Sequence, residues 1–164
     1  MAAGATYEPI ATVTAPGGSS SQLVMSSIPA TYTDLVLVIN GGQATADQSY
    51  SLRFNGDTGS NYSNTQIVGN GSTATSNRNT SQTRGFIHST AMNSLADTVI
   101  VSIQNYSNST IYKTAISRGN SVSYRVVASV VLWRSTSAIT SLTVLGDANF
   151  LSGSTFTLYG IAAA

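Results

Sequence analysis

The sequence predicts an all-β protein, a jelly-roll-like two-sheet antiparallel β-sandwich, and three observations predict it. Apolar residues recur at alternate positions along most of the 164-residue chain, which is the period of a half-buried strand. No window of helical length carries apolar residues at i, i+3, i+4 and i+7. The alternating runs are short, and clusters of turn-forming residues such as APGGSSS at 15–21 and NGGQATADQ at 40–48 separate them. A chain of this length buries about 70% of its unfolded surface as one domain. Residues 1–164 are therefore read as a single sandwich with a short N-terminal arm over about 1–18.

The elements follow in order. EPIATVT (8–14) and SQLVMSSI (21–28) alternate either side of the first Gly-rich loop, and DLVLVIN (34–40) is a β-branched run. SYSLRFN (49–55) ends in the turn NGDTGSN and is followed by a strand at 64–69. RGFIHS (84–89), TVIVSIQ (98–104) and TIYKTAIS (110–117) repeat the period-two pattern, with NYSNS (105–109) between the last two. A long strand at 122–134 and shorter ones at 139–145 and 155–161 (TFTLYGI) complete the set. NGSTATSNRNTSQ (70–82) has no apolar residue larger than Ala and is read as a mobile surface loop. This many strands joined by loops of mixed length fit a two-sheet jelly-roll better than one meander.

Two strands carry more information than the others. In DLVLVIN, Leu35, Leu37 and Ile39 point one way and Val36 and Val38 the other, so both faces want cover. In the long strand, Val122, Tyr124, Val126, Ala128, Val130 and Leu132 share one face, which is read as core. Ser123, Arg125, Val127, Ser129, Val131 and Trp133 share the other face, too apolar for ordinary solvent exposure and read as a subunit interface or a loop-covered face.

Composition narrows the function. Only 8% of residues are charged, the net charge is +1, and Ser, Thr and Asn make up about a third of the chain. Average soluble proteins carry about 25% charged residues. Hydroxyls and amides must keep this surface wet, and such a weakly repulsive surface suits packing against copies of itself or a large partner. The seven basic residues are scattered singly, which disfavours nucleic-acid binding. Cysteine is absent, removing disulfides and thiolate metal sites. MAAGATYEPIATV lacks the basic and apolar regions of a signal peptide, and no run approaches the roughly 20 apolar residues of a membrane span. The expectation is synthesis and folding in a cytoplasm, with no membrane partner.

No chemical motif stands out. In NGDTGSN, Asn55, Asp57 and Asn61 offer oxygens, but Asp57 is the only acid and the spacing departs from an EF-hand. A hairpin-forming turn with Gly56 and Gly59 at positive φ is the better reading. The single histidine, His88, could be written into a triad with Asp97 and a serine, yet the chain has 26 serines and such a list is always available. The six acids all neighbour turns or strand ends, where Asp ordinarily sits. The reading is therefore non-enzymatic, with no catalytic, cofactor-binding or metal residue. Sugar binding is the alternative with residues to name: Asn61 with Tyr62, and Asn105 with Tyr106, lie in loops and pair an aromatic ring with an amide.

The blocks SSIPATYTDLVLVI (26–39), LRFNGDTGSNYS (52–63), ISRGN (116–120), LWRSTSAITSL (132–142) and GSTFTLYGI (153–161) resemble a family of small β-rich proteins of tailed bacteriophages. The resemblance covers nearly the whole chain and implies a virion component, with no catalytic or cofactor residues to carry over. With no heptads, collagen-like repeat or shaft segment, the expectation is a capsid decoration (cement) protein, a homotrimer on the outer capsid surface whose partner is the major capsid protein. A tail-associated receptor-binding or carbohydrate-binding module is the alternative. Expected contact residues are Tyr7 and Ile10 in the N-terminal arm and Arg125, Val127, Val131 and Trp133 on the long strand. The arm could add a strand to a neighbour's open edge.

Overall fold

A computed structural model describes residues 6–16, 18, 20–43, 48–92, 97–121 and 125–162, with the side chains of 48, 89–92 and 121 left aside. Among the described residues twelve strands run β1 (Tyr7–Thr14), β2 (Gln22–Met25), β3 (Asp34–Gly41), β4 (Gln48–Phe54), β5 (Tyr62–Gly69) and β6 (Ala74–Gln82), then β7 (Gly85–Met92), β8 (Asp97–Gln104), β9 (Lys113–Ser121), β10 (Arg125–Trp133), β11 (Leu142–Gly146) and β12 (Thr155–Ile161). All pairings are antiparallel. They form an eight-stranded sheet in the order β1-β12-β3-β8-β9-β10-β5-β6 and a four-stranded sheet in the order β2-β11-β4-β7. The protein is an all-β, two-sheet sandwich, as its alternation predicts.

The core lies between the sheets. Leu35, Leu37 and Ile39 on β3, Val99, Val101 and Ile103 on β8, and Phe156 and Leu158 on β12 meet Leu52 and Phe54 on β4, Ile87 on β7, and Leu142 and Val144 on β11, all of them fully buried. Tyr50, Phe150 and Phe156 form an aromatic cluster, with the rings of Phe150 and Phe156 4.9 Å apart. Such rings add their pair geometry to a large buried area.

Three elements differ from expectation. The 70–82 segment is not a loop: it forms a hairpin with β5, in register from Gly69 opposite Ala74 to Asn64 opposite Asn79. Residues 70–73 make the turn, closed by the Asn70 amide donating to the Thr73 carbonyl at 3.1 Å. Gly71 has φ +87°, and Asn70 Oδ1 accepts from the amides of Ser72 (3.1 Å) and Thr73 (2.7 Å). β6 shows no hydrophobic period because it is an edge strand exposed on both faces.

NGDTGSN does not close a hairpin. β4 and β5 lie in different sheets, so this stretch carries the chain around a corner of the sandwich. Asn55 (φ +52°) and Gly56 (φ +66°), rather than Gly56 and Gly59, take the left-handed conformation. The Asp57 amide donates to the carbonyl of Phe54 at 2.9 Å, which closes the turn.

The third difference is β10, which is turned over. Val127, Val131 and Trp133 are at most 2% exposed, while Val126 is 63% exposed and Val130 47%. The cause is β7, which packs across β9 and β10 from the small sheet. Gly85 lets Val131 lie against it, since a Cβ there would overlap that valine. Ser129 Oγ donates to the Phe86 carbonyl at 2.8 Å, so a polar side chain sits on the inner face with its hydrogen bond made. Val122, Ser123 and Tyr124 lie outside the described residues.

Candidate interaction surface

The outer face of the large sheet carries an apolar field with no layer over it among the described residues. Strand registers align it in rows. Ile67, Ala128, Arg118, Ile100 and Val38 are successive cross-strand partners on β5, β10, β9, β8 and β3. Thr65, Val130, Ile116, Ser102 and Val36 form the row on one side of it, and Gly69, Val126, Asn120, Thr98 and Asn40 the row on the other. Ile67, Val126, Val130 and Ile116 are all exposed large apolar residues, with Ile67 at 59%. Isolated exposed hydrophobics are ordinary, but neighbours on adjacent strands make a contiguous patch of the kind that marks an interaction site.

A groove of about 500 Å³ runs over this field, lined by Ile67, Gly69, Ile100, Arg118, Val126 and Ala128 among others. Gly69 and Ala128 keep its floor low, because neither raises a long side chain. Past Arg118 a smaller depression of about 70 Å³ is bounded by Ile100, Ser102 and Ile116. Arg118 is exposed and stands between the two.

The expected contact residues fall on both sides of this picture. Val127, Val131 and Trp133 face the small sheet and are unavailable to a partner, and Arg125 is half-buried. Tyr7 is 57% exposed and stands edge-on to Tyr159, with centroids 6.2 Å apart. Ile10 packs against the core instead. Both lie on β1, which pairs with β12 of the same chain from Tyr7 to Thr14 and is not a free arm over those residues. The residues that sequence reasoning missed are Ile67, Ile100, Ile116, Val126 and Val130. Their signal was present, since Val126 and Val130 lie on the more apolar face of the long strand and Val36 and Val38 form the second apolar face of DLVLVIN.

The loop tyrosines do not form a sugar platform. Tyr62 and Tyr106 are fully buried. The Phe54 amide donates to Tyr62 Oη at 2.9 Å, burial pushing that phenol up to about 12, while Tyr106 Oη donates to the Pro29 carbonyl. Asn61 donates to Asp57 at 2.9 Å, and Asn105, at φ +49°, donates its amide to Asp34 at 2.8 Å. The tyrosines thus anchor loops, and the exposed ring of that region is Tyr112.

The carboxylate of Asp57 is fully engaged. Its Oδ1 accepts from the Gly59 amide at 2.8 Å, and its Oδ2 accepts from Trp133 Nε1 at 2.7 Å and Asn61 Nδ2 at 2.9 Å. Asn55 Oδ1 likewise accepts from the amides of Thr140 and Ser141. Oxygens needed by a cation are spent on the corner itself, and among the described residues no cluster of three or more His, Asp or Glu could hold a metal ion.

His88 is fully buried, and neither ring nitrogen has a hydrogen-bond partner among the described residues. Burial lowers its pKa to about 4. Gly119 makes room for the ring, since a Cβ there would meet its Cδ2. A general base needs a hydrogen bond to its nucleophile and a route for substrate, and this imidazole is enclosed in the core.

Fold and surface together define a class: a β-sandwich whose large sheet presents an uncovered apolar face. No protein-family model matches the chain, and no curated protein matches it.

Proposed function

We propose that this chain is a non-enzymatic structural protein of a tailed-bacteriophage particle, a capsid decoration (cement) protein that acts as a homotrimer on the outer capsid surface and bridges major capsid protein subunits. The observation that carries the reading is the apolar outer face of the eight-stranded sheet. The five strands that carry the field, of eight or nine residues each, spaced about 4.8 Å apart and rising about 3.3 Å per residue, offer roughly 600 Å² of sheet surface. A standard interface takes about 800 Å² from each partner, so the field supplies most of one. The low charge supports the same reading, because weak uncharged contacts repeated across a shell add through avidity without strong single-site affinity.

The experiment is the copy number of this chain in purified particles, measured by mass spectrometry against the major capsid protein, together with its binding to DNA-emptied, expanded shells. The expected result is about one copy per capsid subunit and shells that resist heat better when decorated. A few to a few tens of copies per particle would overturn the cement role and move the chain to the tail, where glycan binding becomes the competing function.

A further inference from the structure

We propose that the groove around Arg118 is a docking site for an extended segment of the shell partner that presents an acidic side chain between two aliphatic ones, in the pattern aliphatic-x-acidic-x-aliphatic. The inference rests on the reading of the outer face as the docking surface and specifies the chemistry that face selects.

The geometry has three parts in line. The larger depression, walled by Ile67, Val126 and Ile100, is apolar and exceeds the volume of one Leu or Ile side chain several times, so it takes such a side chain together with its neighbouring backbone. Arg118 stands next, and the smaller depression beside Ile116 follows. Adjacent strands are about 4.8 Å apart, and alternate residues of an extended chain are about 6.6 Å apart on one side. A segment lying along β9 can therefore place residues i, i+2 and i+4 beside Asn120 in the larger depression, Arg118, and Ile116 at the smaller one, because those three are themselves alternate residues of one strand. Asn120 and Thr98 line the same groove and offer polar atoms to the backbone of the visitor.

Charge decides what the middle residue must be. Arg118 makes no hydrogen bond or ion pair with the described residues, and its guanidinium lies in an apolar field, where a carboxylate can engage both edges of its fork. Among the described residues, a second copy of this chain is a poor source of that carboxylate. Glu8 accepts from Tyr32, Asp34 from Asn105, Asp57 from three donors and Asp147 from Arg84, while Asp97 is 1% exposed. Two-fold packing about an axis through the groove would also set Arg118 near its own copy, an arrangement like charges oppose.

The test uses the folded full chain, with methyl-labelled Ile, Val and Ala, titrated with a capped peptide reading glycine, leucine, serine, glutamate, serine, valine, glycine. Two control peptides replace glutamate by glutamine or lysine. The expected result is saturable shifts at Ile67, Ile100 and Ala128, none at Val24 on the other sheet, and affinity at least tenfold weaker for the lysine peptide. Arg118→Glu should reverse that preference, and Val126→Asp should abolish binding to all three; both positions are exposed, and unchanged melting checks their fold. Absence of saturable shifts, or equal affinity for the glutamate and lysine peptides, would overturn the proposal. So would a concentration-dependent oligomer that dissolves in Val126→Asp, which would assign the groove to a second copy. If shells bind the wild type and Arg118→Glu equally, the groove proposal fails while the decoration reading stands. If the peptides bind as expected and shells do not, the decoration reading fails while the groove's selectivity stands.

Discussion

Trp133 Nε1 donates to Asp57 Oδ2 at 2.7 Å, and that bond ties the end of β10 to the corner that leaves β4. The indole also lies 5.5 Å from the ring of Phe54 and stacks on Tyr62 at 6.3 Å and 17°. One residue thereby joins both sheets and closes the sandwich at this end. Burial alone would raise the Asp57 carboxyl, but hydrogen bonds from Trp133, Asn61 and Gly59 outweigh it and hold the group below the usual carboxylate value. Its stabilisation is present above the unfolded value and is lost as pH falls through the lower folded one.

Trp133→Phe keeps most of the packing and removes the donor, so it should cost about 1–3 kcal/mol, the range for a hydrogen bond to a charged group plus local repacking. Asp57→Ala strands three donors and should cost at least as much. Because both changes break the same bond, the double variant should cost less than their sum. Urea denaturation with unchanged slope measures all three, and strict additivity would show that the two residues are energetically independent.

Gly85 and Val131 make a second pair whose geometry is easily tested. A Cβ at position 85 would overlap the valine side chain, so Gly85→Ala should destabilise by roughly 1–3 kcal/mol through overpacking. Val131→Ala vacates the same space and should recover part of that loss in the double variant. Thermal melts read the outcome, and a double variant less stable than additivity predicts would place the strain elsewhere.

Alternation made the sandwich legible, because Leu52 and Phe54 announce an inward face where the opposite face, Ser51 and Arg53, is polar. It did not resolve β10. Both faces of that strand are apolar, and the face with more hydrophobic residues is the one left outside, since the inner face is chosen by what β7 brings across it: a glycine at 85 for Val131 and a carbonyl at 86 for Ser129. The candidate surface therefore existed in the sequence with its inside and outside exchanged. β6 was hidden for the opposite reason. Its faces are both solvated, so no periodicity marks it, and the readable signal was the Asn70–Gly71 turn.

That turn gives a prediction of local rather than global stability. Asn70 Oδ1 holds the amides of Ser72 and Thr73, and β6 buries almost nothing, so Asn70→Ala should loosen the hairpin while the core stays intact. Hydrogen exchange should speed up about three- to tenfold at β6 amides that pair with β5, equivalent to roughly 0.6–1.4 kcal/mol, with the global urea midpoint moving little. A matching drop in global stability would mean that β6 unfolds with the core.

Acid should act through His88 before it acts through the Asp57 carboxylate. The imidazole is fully buried opposite Tyr50 on β4 and against Gly119 of the large sheet, and burial holds its pKa at about 4, against about 6.5 for an exposed histidine. Between those values the unfolded chain binds a proton that the folded chain refuses, so stability falls as pH drops from about 6.5 through about 4. The whole window amounts to roughly 3 kcal/mol, most of it lost by pH 4.5. His88→Leu keeps an apolar side chain of similar size at the site and should flatten this stretch of the profile. Asp57 contributes only at lower pH, where wild type and variant should lose stability together. Urea midpoints at pH 7, 5.5 and 4.5 separate the two effects, and a variant that keeps the wild-type slope between pH 6.5 and 4.5 would remove His88 as its cause.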